Sequence, residues 1–370
     1  MSLKRRRFIL AGMISGGSIA FITHQILSNK SNNINSPQKQ NLVTQGNIYE
    51  PSPLDLRIVV ISDLNSQYGS TTYEPEVDKA IALMPSWQPD LVLCGGDMIA
   101  GQKRTLTELQ IKAMWAAFDR HVAVPLRQAK IPFGFTVGNH DASGAKSQEG
   151  KYIFAQERDL AKAYWQNPSH NPGLNFVDRG EFPFYYSFQL NGIFFLVWDA
   201  SSHKIAPEQL AWVEKALTSK IAQTAKMRLA IGHLPLYAVA VGRDKPGEYL
   251  DNGEELRSLL EKYQVHTYIS GHHHAYYPGH RGDLQLLYSG LLGGGARRLL
   301  NSDLPPRKTL TVVDIKVDTP ETVYTTYDIT TMELVEQAQL PRVISAPNGT
   351  VLRRDLDWED LTPAEKEKVD

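Results

Sequence analysis

Short apolar runs recur along the chain from Leu56 onward, separated by polar stretches that carry glycine, proline and asparagine. The first run, Leu56–Ile61, is β-branched and reads as a buried strand. Runs at 90–94, 132–137, 184–190, 193–198, 228–231 and 266–269 predict further strands, and 284–288, 309–317 and 322–328 complete the set. Asn191-Gly192 between two of them is a hairpin signal, because both residues tolerate the positive φ of a type I′ turn. Apolar spacing predicts amphipathic helices over 75–84, 107–127, 151–165, 207–217 and 252–262. Pro207 followed by Glu208 suits a helix first turn, where a missing N–H costs little and a carboxylate meets the helix dipole. Helices alternate with strands early, and strands dominate late. The expected fold is α/β: a two-sheet β-sandwich flanked by helices.

The pattern changes toward both ends. Residues 1–27 carry a basic cluster, Lys4-Arg5-Arg6-Arg7, ahead of a moderately apolar stretch, and read as an export signal or membrane anchor. Arg5-Arg6-x-Phe8-Ile9 resembles a twin-arginine signal, so the twin-arginine translocation machinery is an expected partner. The expected location is the periplasm or its equivalent, with a membrane tether if the segment stays uncleaved. Residues 28–55 are rich in Asn, Gln, Ser and Lys and read as a flexible linker. The folded domain is expected over 56–331, with 332–370 as a C-terminal tail over the surface.

Composition narrows the options. With 370 residues and a formal net charge of −1, nothing here is an electrostatic argument for nucleic acid. Cys94 is the only cysteine, which excludes an intramolecular disulfide and a thiolate metal cluster. It sits in an apolar run and reads as buried.

Chemistry-bearing residues fall at strand ends. The first strand is followed by Asp63-Leu64-Asn65, the next by Gly95-Gly96-Asp97, and the third by Gly138-Asn139-His140-Asp141. Later strands lead into Gly232-His233 and Gly271-His272-His273-His274. Each alone has an ordinary explanation as a cap or turn residue. All five in the same register, mostly behind a glycine, point to one shared site outside the carboxyl ends of the strands. Within the triplet, alternation places His272 and His274 on one face and turns His273 away.

These blocks resemble the calcineurin-like metallophosphoesterase family, whose ordered motifs are Asp-x-His, Gly-Asp, Gly-Asn-His-Asp/Glu, a His after Gly, and Gly-His-x-His. The resemblance spans roughly residues 56 to 330. It implies two metal ions (Mn, Fe or Zn) sharing Asp97, one held by Asp63, Asp97 and His274, the other by Asp97, Asn139, His233 and His272. It further implies hydrolysis of a phosphate monoester or diester by a hydroxide that the metal pair activates. His140 would contact phosphate and protonate the leaving group. Asp141 is expected either to orient His140 or to serve in a salt bridge.

Two departures shape the expectation. Asn65 stands where the family has histidine, and an amide oxygen is a poorer donor than imidazole for these metals. This leaves open a degenerate module that keeps one metal and binds phosphorylated ligands without turnover. Gly96-Asp97-Met98 lacks the arginine that follows the second block in the family's phosphoprotein phosphatases, which argues for a small phosphorylated substrate. Gly293-Gly294-Gly295-Ala296-Arg297-Arg298 offers backbone amides and the Arg297 and Arg298 guanidinium groups to a phosphate, with a plain turn as the alternative.

Overall fold

The computed structural model describes residues 51–368 except 320. The export segment at 1–27 and the linker up to residue 50 lie outside the described residues. β1 (Leu56–Ile61), β2 (Leu91–Cys94) and β3 (Phe133–Phe135) run parallel, side by side. All three are buried throughout, which is why they read as continuous apolar runs. α1 (Pro75–Trp87) connects β1 to β2. α2 (Glu108–Phe118) and α3 (Val124–Gln128) lie between β2 and β3.

Thr107 starts α2 by a capping box with Gln110. The helix expected over 107–127 is interrupted by one wide turn, Asp119–Ala123. Pro125 follows it, and a proline has no N–H to give to the preceding turn, so a local π-type widening accommodates it.

The chain then crosses to a second sheet. β4 (Phe176–Asp178), β5 (Tyr186–Leu190) and β6 (Ile193–Val197) form its antiparallel flank, with Asn191-Gly192 turning the β5–β6 hairpin. β7 (Met227–Ile231) and β8 (Thr267–Ser270) extend it in parallel from β6. β9 (Tyr276–Arg281) and β10 (Leu284–Ser289) form a hairpin, with β10 parallel to β8. β11 (Thr309–Lys316), β12 (Glu321–Asp328) and β13 (Glu333–Leu334) return to the first sheet, where β11 pairs antiparallel with β1. There Asp314 of β11 neutralises buried Arg57 of β1 through bonds of 2.9 and 3.1 Å.

The two sheets, of six and nine strands among the described residues, are the expected sandwich. Ile58, Val60, Val313 and Ile315 of one line the same narrow gap as Leu229, Ile269 and Leu287 of the other. Outside the first sheet, α2 and α5 (Ala155–Gln166) close an aromatic cluster on β3, in which Phe135 stacks on Trp165 at 3.9 Å between centroids.

The tail corrects an expectation. Beyond β13 it does not simply lie over the surface: β14 (Val343–Ala346) and β15 (Gly349–Arg353) form a hairpin that joins β9 at the end of the nine-stranded sheet. Between them, Asn348 bonds Leu236 and Ala238, which follow His233. β9, which contains Pro278 and Gly279, lies outside the predicted strands. Pairing with β10 along its whole length overrides their poor strand propensity.

Candidate metal centre

Parallel β1, β2 and β3 end on one edge of their sheet, and β7 and β8 end together in the other. The loops leaving these ends are laced to one another. Asp63 N–H donates to Gly96 O (2.9 Å), Leu64 N–H to Asp97 O (2.9 Å), and Gly271 N–H to His233 O (3.0 Å). Asp63, Asp97, His272 and His274 all have positive φ, between 50° and 64°, so each strand end turns sharply to bring its side chain round. Two glycines permit the closeness. A Cβ on Gly138 would lie 2.1 Å from Asp97 Oδ1, and one on Gly271 would lie 2.2 Å from Ser62 Oγ and 2.7 Å from Asp63 Oδ2.

The site is buried and rich in ligand atoms. Asp63, Asp97 and His233 each offer one such atom within 4.8 Å of the others. His274 Nε2 lies 3.2 Å from Asp63 Oδ1, and Asn139 Oδ1 lies 2.9 Å from His233 Nε2. The outward nitrogens of the histidines are occupied. His233 Nδ1 donates to Gly95 O (2.7 Å) and His274 Nδ1 to Gly295 O (3.1 Å), leaving each Nε2 for the site. Gln102 Oε1 accepts from Asn139 Nδ2 at 2.7 Å, which turns the Asn139 carbonyl oxygen toward His233. Carboxylate, amide and imidazole donors without a thiolate fit Mn, Fe or Zn.

Charge follows from this crowding. Burial works against ionisation of Asp97, yet His233 and His140 hold its carboxyl well below the usual carboxylate range. Burial alone would lower the His233 pKa, but Asp97, 3.4 Å from Nε2, outweighs it and raises the ring to about 9. Metal-free His233 therefore carries a proton at neutral pH that a metal ion must displace. A folded pKa above the ordinary 6.5 stabilises the metal-free protein fully below pH 6.5. That stabilisation is lost as pH rises through about 9. We expect the melting temperature of EDTA-treated protein to fall across this window, while the metal-loaded protein does not share the decline. Calorimetric titration with manganese in buffers of different ionisation enthalpy should show proton release on binding. An equal pH response with and without metal would contradict the assignment.

The remaining candidate residues separate. His140, at the start of α4 (Asn139–Ala142), donates its backbone N–H to Asp97 Oδ1 (2.8 Å) and its Nδ1 proton to Gly101 O (3.0 Å). Its Nε2 is then free, 3.9 Å from Asp97 Oδ2, and partly exposed beside the Tyr68 ring. Asp141 does not orient it and forms no salt bridge with it. The Asp141 carboxyl is fully buried and accepts from Ile99 N–H (2.9 Å) and Gly138 N–H (2.8 Å), tying two ligand loops together. Burial, and then the Asp97 charge, push it up to about 7. His273 is no ligand either. Its Nδ1 accepts from Val239 N–H and its Nε2 donates to Glu248 O, and burial pushes its pKa down to about 3.

Asn65 is anchored through its backbone, donating to Asp97 O and accepting from Gly294 N–H. The glycine run is not a free amide cradle, because Gly293 N–H goes to Asp63 O and Gly294 N–H to Asn65 O. Arg297 reaches Val241 O with Nη1, and its Nε is buried without a partner. Arg298 is exposed, its carbonyl accepting from Val241 N–H. Gln102, Arg243 and Glu248 were not anticipated. They lie in loops, where no apolar period marks a residue for a site.

Residues 56–276, the stretch that carries all of these ligand candidates, match the calcineurin-like phosphoesterase family. The chain belongs to that family. This is a metallophosphoesterase family whose members use divalent metals, and Asp63, Asp97 and His233 are a candidate cluster for such an ion. The fold of this phosphoesterase is similar to that of purple acid phosphatase PPD1 from yellow lupin (Lupinus luteus) seeds. The two share 16% identity at a TM-score of 0.55, over 78% of this chain and 54% of the lupin protein. This chain thus spans about half of the lupin enzyme's length. GAP50, the anchor in the inner membrane complex of Plasmodium, aligns at TM-score 0.47 and 12% identity, over 84% of this chain and 92% of its own. No curated protein matches the chain in sequence. Among the described residues, no helix is long and apolar enough to cross a membrane.

Proposed function

We propose that this phosphoesterase hydrolyses a small phosphate monoester or diester at a two-metal centre bridged by Asp97. The observation that carries the reading is the convergence of Asp63, Asp97 and His233 within 4.8 Å, flanked by His274 on one side and Asn139 on the other. Asp63, Asp97 and His274 would hold one ion, with Asn65 as the weak donor of that set, and Asp97, Asn139, His233 and His272 would hold the other. When bound, the ions neutralise phosphate oxygens and activate water.

The protein's own contributions follow from the geometry. His140, with Nδ1–H held by Gly101 O, presents Nε2 at the site mouth. In its doubly protonated form it delivers that Nε2 proton to the departing ester oxygen. Tyr68, packed on the His140 ring with its centroid 5.0 Å away, limits where that ring can turn. Export through the twin-arginine route is proposed from Arg5 and Arg6, and would deliver an already folded, metal-loaded protein.

Asn65 favours a second reading, a one-metal module that binds phosphorylated ligands without turnover. One experiment separates the two. Metal content of the purified chain is measured after loading with Mn, Fe or Zn. The same samples are assayed on chromogenic phosphomonoesters, phosphodiesters and cyclic nucleotides. Two ions per chain and turnover support the enzyme, whereas one ion and ligand binding without turnover support the module.

A further inference from the structure

The triplet contains one histidine too many for the metal centre, and its neighbours explain it. Residues 235–250 form a compact loop closed by Leu250 N–H donating to Pro235 O (2.9 Å). His273, fully buried, grips this loop at two points: Val239 N–H donates to its Nδ1 (3.3 Å), and its Nε2 donates to Glu248 O (2.9 Å). The same Glu248 offers its side chain to the preceding histidine, with His272 Nε2 lying 3.0 Å from Oε2. Arg243, from the same loop, donates Nη1 to that carboxylate oxygen.

A carboxylate only accepts hydrogen bonds, so the 3.0 Å contact places the proton of neutral His272 on Nε2, whereas Arg243 Nη1, a donor, stands farther from the same nitrogen at 3.5 Å. The bare nitrogen is then Nδ1. The His272 backbone is fixed independently by its N–H donating to Asp63 Oδ2 (3.1 Å), and its ring lies against His233 with centroids 5.1 Å apart. We propose that Glu248 is a positioning residue for His272, selecting the tautomer that leaves Nδ1 free for metal, and that His273 serves as the clamp holding Glu248 in place. The inference rests on the two-metal reading above, but its first test does not.

That test reads tautomers in the metal-free full-length chain by two-bond 1H–15N correlation on imidazole-labelled protein. Wild-type His272 should appear neutral with its proton on Nε2. Glu248→Ala should give a mixture of tautomers, whereas Glu248→Gln, which keeps an acceptor oxygen, should retain most of the Nε2–H form. A wild-type proton on Nδ1, or a spectrum unchanged in Glu248→Ala, overturns the proposal.

Manganese titration then asks whether the tautomer matters. Glu248→Ala should weaken one ion by about 10- to 100-fold and leave the other at its wild-type affinity. Glu248→Gln should recover most of that loss. Equal weakening of both ions, or no recovery by Gln, makes Glu248 merely structural and sinks the assignment. His273→Phe removes both loop contacts while filling the space. It should weaken the same ion and open the Arg243–Asp244 bond to trypsin, and unchanged resistance would reject the clamp. If that variant does not fold, the Glu248 arms decide alone. A wild-type chain that binds a single manganese ion defeats the two-metal reading, and the tautomer spectra still decide the role of Glu248.

Discussion

Asp97→Asn should strip metal from the protein and abolish hydrolysis while leaving the fold intact. Asp97 is 1% exposed and lies between the two ligand groups, with Oδ2 3.4 Å from His233 Nε2 and Oδ1 bonded to the His140 backbone. The amide keeps the shape and an acceptor for that backbone N–H. It removes the charge that, in the proposed two-metal centre, would draw both cations to one point. Asparagine also tolerates the φ of 55° at this position, whereas alanine adds about 1–2 kcal/mol of backbone strain. The comparison therefore separates chemistry from folding. We expect turnover to fall by more than about 1,000-fold, since both the phosphate clamp and the activated water are lost. Metal content by mass spectrometry and melting by circular dichroism check the two halves. Full metal content in Asp97→Asn would show that the two ions do not share this residue.

His140→Ala should give the opposite dissociation, with metal retained and catalysis lost. Among the described residues the His140 side chain makes no hydrogen bond to a ligand candidate; its Nδ1 is anchored to Gly101 O, and its Nε2 lies 3.9 Å from Asp97 Oδ2. A general acid contributes roughly 100- to 10,000-fold, so kcat should drop within that range at wild-type metal content. The loss should shrink for esters with good leaving groups, which depart without a proton. Equal losses for p-nitrophenyl and alkyl esters would mean that His140 only packs under Tyr68.

Much of this protein was legible in its sequence. Buried parallel strands are apolar on both faces, so β1, β2 and β7 stand out as runs, and Asn191-Gly192 marks a turn whose φ values few other residues accept. Candidate ligand residues at strand ends were legible for the same reason, because a strand end is where an apolar run stops. Asp63, Asp97, Asn139, His233 and the histidine triplet could all be read as one register. Period-2 alternation even assigned His273 to the opposite side from its neighbours.

What the sequence could not contain was anything that depends on loops meeting in space. Asp141 looked like a partner for His140 because it is adjacent in the chain. A short helix turns its carboxylate back onto Gly138 and Ile99 instead, and a backbone carbonyl from Gly101 holds the histidine. The Gly293 and Gly294 amides looked free for phosphate until the fold laid them against Asp63 and Asn65. β9, with Pro278 and Gly279, and β14–β15 in the tail became strands only because a partner edge was there to pair with. Glu248 and Gln102 carry no local signal, since hydrogen bonds across 24 and 37 residues are products of tertiary closure. The sequence by itself determined which donor side chains gather at the candidate metal centre. Only the tertiary structure decided which nitrogen or oxygen of each one faces it, because that choice is made by the distant group bonded to the other end.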